Sequence, residues 1–188
     1  GEKPLYRDVL FVESEGISTT LSLKKMAALV KTEFVLIYTK PFPLDPGKSA
    51  FERMIKVCKD TGAGMVYSDY FENRNNQLSS HPVIAYQEGS LRDDFNFGSV
   101  MLYRTRAFKQ ACKSMDRDYN FAGLYDLRLK VSQKHLLFHI PELLYTETEI
   151  DIRKSGEKQF DYVDPRNRDV QLEMEAACTD HLKKINGW

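Results

Sequence analysis

The sequence lacks the features that would assign it directly to a membrane or to nucleic acid. No apolar run approaches the roughly 20 residues that a membrane-spanning helix needs. Lys and Arg together number 27, as do Asp and Glu, so no overall charge favours nucleic acid or an anionic lipid surface. The chain also has no internal repeat and no low-complexity tract. What remains is a globular composition, with 42% hydrophobic and 12% aromatic residues.

Cysteine and histidine are sparse. Cys58, Cys112 and Cys178 lie far apart, and an odd number of cysteines suits no disulfide framework, so we expect three buried thiols in a reducing cytoplasm. The four histidines have no spacing typical of a metal site. Residues 1–4 are polar and lead into only a short apolar run, so no signal peptide is expected. Because the chain starts at Gly1 without Met, we expect it to be part of a longer protein.

Motifs that would name a reaction are missing as well. The sequence has no G-x-S-x-G nucleophile elbow, no G-x-G-x-x-G fingerprint and no P-loop lysine motif. Any chemistry must therefore be sought from the position of polar residues in the fold.

The hydrophobic pattern alternates between strands and helices. Apolar, partly β-branched runs predict strands at 8–14, 33–38, 64–70 and 99–104. Apolar residues at helical spacing predict helices at 20–31, 47–60, 105–114 and 124–133. Short links between the first three strands and their helices predict right-handed crossovers and a mostly parallel α/β sheet flanked by helices.

Local signals mark the ends of several elements. Ser18 or Thr19 can cap the first helix, and Asp45-Pro46 predicts an N-cap and first residue for the second, which Gly62 ends. Residues 71–80 predict a hairpin or exposed turn, because Asn tolerates left-handed backbone angles.

The last part of the chain is predicted to stand apart. Residues 136–150 predict two short strands broken at Pro141. An amphipathic C-terminal helix is predicted from Asp164-Pro165. We therefore expect a domain over 1–150, and a linker and helix over 151–188 that either packs on it or leads into a further domain.

Polar residues follow three of the predicted strands. Ligands of open parallel sheets bind at the carboxyl ends of the strands. These ends carry Glu13-Ser14, Tyr38-Thr39-Lys40 and Ser68-Asp69, and Asp93-Asp94 and Asp126 are later candidates. The residues alone predict a ligand cleft and do not name its ligand.

Three stretches resemble the family 2 glycosyltransferases, which have the Rossmann-like GT-A fold. Residues 15–70 resemble the family's central stretch, in which a strand ends in an Asp-x-Asp motif and a later strand ends near Ser-Asp. The stretch "NFGSVMLYRTRAFKQA" (96–111) is similar to the acceptor region, and residues 124–156 resemble the helix of the catalytic acid and the closing strand. The resemblance implies a nucleotide-sugar donor, a glycan or other hydroxyl acceptor, and Mg²⁺ or Mn²⁺.

The same resemblance exposes departures from the family. Tyr38, Thr39 and Lys40 stand where the family has its metal-binding acids, so no metal ligand is expected here. Lys40 could instead meet a phosphate directly. The catalytic base falls on Leu124, and Asp126 matches the second acid, which could serve as base only after a shift of its helix.

Three hypotheses follow. The chain is a glycosyltransferase that recognises the diphosphate through Lys40 without metal; or a non-catalytic GT-A-like module of a larger glycosyltransferase; or a nucleotide-binding or regulatory domain that only shares the fold. Under each of the first two, Asp69 and Glu13 are expected to line the nucleotide-sugar pocket together with residues 38–40.

Overall fold

The computed structural model describes residues 13–14, 16–149 and 168–187. These residues form an α/β domain with a mixed sheet. Its elements are α1 (Thr20–Leu29), β1 (Phe34–Tyr38), β2 (Asp45–Pro46), α2 (Ala50–Thr61), β3 (Met65–Arg74), β4 (Gln77–His81), β5 (Val100–Arg104), α3 (Thr105–Lys113), α4 (Gly123–Ser132), β6 (Leu137–Glu149) and α5 (Arg168–Lys184). The strand predicted at 8–14 and the helix start at Asp164-Pro165 lie outside the described residues, except for residues 13 and 14.

The prediction of a mostly parallel sheet is wrong. The strand order is β1-β5-β3-β6-β2, with β4 paired to β3, and among the described strands β3 and β6 form the parallel pair. β1 and β3 do run in the same direction, but β5 lies between them and is antiparallel to both. The hairpin after β3 reverses the chain, and β5 runs in the same direction as β4, because both strands pair with β3 antiparallel.

Both faces of the sheet are covered by helices. On β3, Met65 and Tyr67 pack into one core cluster with side chains of α1, α3 and α4, whereas Val66 and Tyr70 pack with α2 on the opposite face. This alternation is the period of two that a strand imposes on its side chains. It explains why the first three residues of the strand, 65–67, are all apolar.

The predicted cap of the first helix is confirmed, and that of the second is wrong. Thr19 Oγ1 accepts a hydrogen bond from the Ser22 N–H at 3.1 Å, as an N-cap should. Asp45 and Pro46 instead pair with β6 as the edge strand β2, where the missing N–H of proline is tolerated. α2 therefore begins only at Ala50, and Gly62 ends it in the left-handed conformation as predicted.

The hairpin predicted at 71–80 is confirmed. Arg74 pairs with Gln77, which leaves Asn75 and Asn76 as a two-residue turn. Their φ angles are 50° and 63°, and two left-handed residues of this kind match the right-handed twist of the strands they join.

The break predicted at Pro141 is wrong. β6 runs through this proline as one strand, and the pairing with β3 passes from Ile140–Ser68 to Leu143–Asp69. Pro141 and Glu142 are left out of the register as an irregularity. A proline is tolerated there because it does not need to donate to the ladder.

α5 packs on α4 and on the loop before it. Ala177 is buried in a cluster with Tyr119, Ala122 and Leu129. The Glu173 carboxylate accepts hydrogen bonds from the backbone N–H groups of residues 120, 121 and 122 at 3.1, 2.7 and 3.0 Å. α4 begins at Gly123, so Glu173 fixes the loop that leads into the helix.

We expect Glu173→Ala to lower the free energy of unfolding by about 1–3 kcal/mol, because three N–H groups lose a charged acceptor. Glu175→Ala is the matched control, since Glu175 is an exposed acid on the same helix and makes no such bonds among the described residues. Denaturant unfolding of both variants measures the difference. Equal losses in the two variants would contradict this role of Glu173 in fixing the loop.

Candidate functional site

β1, β3 and β6 run in one direction, so their carboxyl ends face the same side of the sheet. Tyr38 ends β1, and the Thr39 N–H donates to the Ser99 carbonyl at 3.0 Å. Lys40 follows with its side chain about half exposed. The predicted residues 38–40 therefore lie beside the turn that enters β5.

Glu147 belongs to a group of residues at these strand ends that we call the strand-end cluster: residues 38–40, Ser99, Tyr145 and Glu147. The sequence analysis did not single out Glu147. It is 8% exposed, and its Oε1 accepts a hydrogen bond from the Ser99 N–H at 2.8 Å. Its Oε2 lies 3.7 Å from the Lys40 ammonium. The alternation of "YTETEI" resembles an ordinary exposed strand, so only the fold shows that this carboxylate is buried.

Glu147 changes the electrostatics of the cluster. Burial, followed by the negative charge of Glu147, raises the pKa of the Tyr38 phenol. The same two causes raise the pKa of Tyr145, whose hydroxyl accepts a hydrogen bond from the Ser99 N–H at 2.9 Å. Both phenols therefore stay neutral. The Lys40 charge is partly balanced by Glu147 and is not free to act alone on a phosphate.

Asp69 anchors a loop. Its Oδ1 accepts from the Val83 N–H at 2.9 Å and lies 2.7 Å from His139 Nε2. Nearby, the Tyr67 hydroxyl donates to the Ile84 carbonyl at 2.9 Å and accepts from the Tyr86 N–H at 2.6 Å. These bonds fasten the start of segment 82–99 to the sheet.

Among the described residues, Glu13 and Asp126 form no hydrogen bond or ion pair with Lys40 or Glu147. Glu13 is exposed and belongs to no helix or strand. Asp126 is 2% exposed and pairs with Lys130 one turn further along α4, at 2.5 Å. Burial raises the pKa of Asp126 while Lys130 opposes the shift. This carboxylate does not line the cavity described next.

A cavity of about 410 Å³ lies between segment 93–98 and α4. Five of its lining residues are aromatic, and two acids and an amide lie among them. The aromatic members are Phe95, Phe97, Tyr103, Phe121 and Tyr125. The polar members are Ser18, Asp93, Asp94, Asn96 and Arg128, and the remaining members are Gly98, Met101, Leu124 and Met174. Asp93 and Asp94, later candidates in the sequence, thus lie in the same cavity as Leu124.

Arg128 holds one wall of this aromatic cavity. Its side chain is buried, and its guanidinium donates to the carbonyls of Ser90 at 3.0 Å and Arg92 at 2.8 Å. The same group lies 4.8 Å from the Tyr125 ring centre and 5.6 Å from that of Phe97. Burial lowers its pKa, although arginine remains charged at any physiological pH.

The aromatic cavity and the strand-end cluster meet at Gly98 and Ser99. Gly98 lines the cavity with a φ of 69°, and a Cβ at this position would collide with the Tyr145 hydroxyl. The next residue, Ser99, donates its N–H to Tyr145 and Glu147. One turn therefore separates the two regions, and a ligand could contact both.

The comparisons with known proteins leave the assignment open. A scan against protein-family models and a search of curated proteins found no match for this chain. Among the described residues, no group of three His, Cys, Asp or Glu side chains could hold a metal ion, and no helix is long and apolar enough to cross a membrane. Function must be inferred from the residues and their geometry.

We expect Gly98→Ala to destabilise the chain more than Gly89→Ala. Both glycines have left-handed φ angles, 69° and 84°, so both substitutions carry a backbone cost of about 1–2 kcal/mol. Only at Gly98 does the new methyl group meet Tyr145, because the space around Gly89 is open. Thermal or denaturant unfolding compares the two. Equal destabilisation would show that the turn at Gly98 can shift at no cost in stability. Tyr145 would then not fix the position of this turn.

Proposed function

We propose that this chain is a carbohydrate-binding domain of the family 2 glycosyltransferase type, in which the aromatic cavity holds a sugar of the acceptor. The observation that carries the proposal is the cavity itself, with five aromatic residues beside two carboxylates and an amide. Its volume of about 410 Å³ lies within the range of small-molecule sites.

The cavity suits the chemistry of a sugar ring. A pyranose presents faces of C–H bonds that pack on aromatic rings and a rim of hydroxyl groups that need hydrogen-bond partners. Asp93, Asp94 and Asn96 provide acceptors on one segment of the wall. Phe121 is 45% exposed, which leaves part of its ring free to contact a ligand.

The order and direction of the elements support the family type. β1, α2 and β3 follow one another as the resemblance implies, and β1 and β3 share a direction. The strand-end cluster lies next to the cavity through Gly98 and Ser99, as a donor region beside an acceptor region would. A GT-A-like fold is the finer assignment that we propose for this mixed α/β sheet.

The residues present do not fit the metal that the resemblance implies. At the expected positions Tyr38, Thr39 and Lys40 provide a phenol, a hydroxyl and an ammonium group, and the nearby carboxylate of Glu147 already faces that ammonium. A divalent cation prefers several carboxylate or carbonyl oxygens and is repelled by lysine. No step of the proposed function passes through a metal.

Leu124 supports binding as the function of the described residues. It lies on the cavity wall at the position where the resemblance expects the catalytic base. An aliphatic side chain cannot take a proton from an acceptor hydroxyl, but it can pack against a sugar. This position therefore favours the binding module over the transferase.

Transfer with Asp93 as the base is a second candidate. Asp93 lines the same cavity as Leu124, and no hydrogen-bond or ion-pair partner engages its carboxylate among the described residues. Asp94, by contrast, is paired with Arg92, which lowers its pKa. In this reaction the acceptor hydroxyl would give its proton to Asp93, its oxygen would bond to the anomeric carbon, and the nucleoside diphosphate would leave with the electron pair.

Sugar binding is expected to appear in NMR spectra of methyl-labelled methionine. Met101 and Met174 line the cavity and should shift, whereas Met54 lies in the core on the other face of the sheet and should not. The probes are neutral mono- and oligosaccharides of glucose, mannose and galactose. Phe121→Ala should weaken binding by roughly 5–30-fold, since it removes about 1–2 kcal/mol of ring contact.

Leu78→Ala is the matched control for Phe121→Ala, because it removes an exposed apolar side chain from β4, outside the cavity. Its affinity should equal that of the parent chain. If no probe moves Met101 or Met174, the proposed function is wrong.

A nucleotide-release assay separates the two candidate functions. Because Leu124 replaces the base, we expect no acceptor-dependent release of UDP or GDP from their sugar conjugates. Release that is lost in Asp93→Asn and kept in Asp94→Asn would replace the binding module with the transferase. The two variants are matched, since the acids are adjacent and both line the cavity.

A further inference from the structure

A second cavity, of about 260 Å³, continues the aromatic cavity along α5. Three residues line both cavities: Asp93, Tyr125 and Met174. The second cavity is completed by Leu91, Gln171, Glu175 and Cys178. Because these walls are shared, the two cavities adjoin each other. We call the two together the groove, with the aromatic residues at one end and residues of α5 at the other.

The charge of the groove selects against anions. None of the residues that line the second cavity is Lys, Arg or His, whereas Asp93 and Glu175 are acids. In the aromatic cavity the cation is Arg128, whose guanidinium is already bound to two carbonyl groups. A phosphate or a uronic acid would therefore meet negative charge without a free cation, but neutral hydroxyl groups would find acceptors.

The far wall of the groove is held in place by bonds outside it. Glu173 binds the backbone of residues 120–122, and Asp180 pairs with Arg117 at 2.8 Å. Neither Glu173 nor Asp180 lines the groove, so a ligand need not disturb the bonds that attach α5 to α4. A preformed wall reduces the ordering cost of binding.

We propose that this groove binds a neutral oligosaccharide, with one sugar unit in the aromatic cavity and at least one more in the cavity along α5. This inference rests on the proposed function and deepens it, because it makes the acceptor a glycan chain and not a single sugar. Tyr125 and Met174 form the shared wall beneath the bond between the two units, and Gln171 and Glu175 contact the outer unit.

Cys178 provides a direct measure of the second cavity. It lines that cavity and is partly exposed, whereas Cys58 and Cys112 are buried. Burial also raises the pKa of both buried thiols, that of Cys112 to about 12, so they react slowly with alkylating reagents. Alkylation of the native chain by iodoacetamide, followed residue by residue, therefore reports on Cys178 with two internal controls.

The experiment combines this alkylation with the Met101 methyl signal, using glucose, mannose and galactose and their neutral oligomers of two to four units. A monosaccharide should shift Met101 and leave the alkylation rate of Cys178 unchanged. A trisaccharide at ten times its Kd should shift Met101 and slow the alkylation about tenfold, since about nine tenths of the sites are then filled. An oligomer that contains uronic acid should protect less than its neutral counterpart.

Variants of α5 test the contacts of the outer unit. A trisaccharide is expected to bind the parent chain more tightly than a monosaccharide does. Gln171→Ala should abolish this gain in affinity and leave monosaccharide binding unchanged. Leu172→Ala, an exposed neighbour that does not line the groove, is the matched control and should keep the gain.

The outcomes separate this inference from the function on which it rests. If a trisaccharide shifts Met101 without protecting Cys178, or if a monosaccharide protects equally well, the groove does not extend along α5 and the inference alone is wrong. If no probe shifts Met101, both the proposed function and the inference are wrong.

Discussion

The buried guanidinium of Arg128 connects the parts that form the candidate site. Removing this charge from water is costly, and two backbone carbonyls together with the faces of three aromatic rings offset that cost. The two hydrogen bonds fix residues 90 and 92 against α4. As a result, the acids and aromatic residues of segment 93–98 face α4, and the cavity exists between them.

Two acids have similar positioning roles elsewhere. Asp69 binds the backbone of Val83 and so fixes the start of segment 82–99, whose middle Arg128 fixes through residues 90 and 92. Glu173 binds the backbone before α4 and so holds α5 against the domain. In both places a carboxylate satisfies N–H groups that the loop geometry leaves without partners. These charges stabilise the frame of the site, and they are not available for chemistry on a ligand.

The proposal of recognition without transfer depends on the residues at two positions. At the strand ends, Lys40 lies near Glu147, so the position of the expected metal acids carries a partly balanced pair. In the cavity, the position of the expected base carries Leu124. The cavity offers an apolar, aromatic and acidic surface, and Gly98 and Ser99 join this surface to the strand ends. Our proposal of a glycan-binding domain is based on this surface.

The sequence alone determined the local structure well, because local signals act over a few residues. Thr19 caps α1, Asn75 and Asn76 turn the hairpin, and Gly62 ends α2, each as its side chain or backbone freedom dictates. The prediction at Asp45-Pro46 was wrong because these two residues suit either a helix N-cap or an edge strand. Pairing with β6 decides in favour of the edge strand. The same holds for Pro141, which β6 accommodates through an irregular pairing with β3.

Only the tertiary structure decided the sheet order and the site. A run of apolar residues predicts a buried strand but not its neighbour or direction, so the reversed β5 between β1 and β3 could not be foreseen. The burial of Glu147 depends on a turn almost fifty residues earlier in the chain. The cavity likewise draws its walls from Ser18, segment 93–98, α4 and α5, which share no motif. These segments come together through long-range packing and through buried charges such as Arg128. Neither can be inferred from the spacing of residues along the chain.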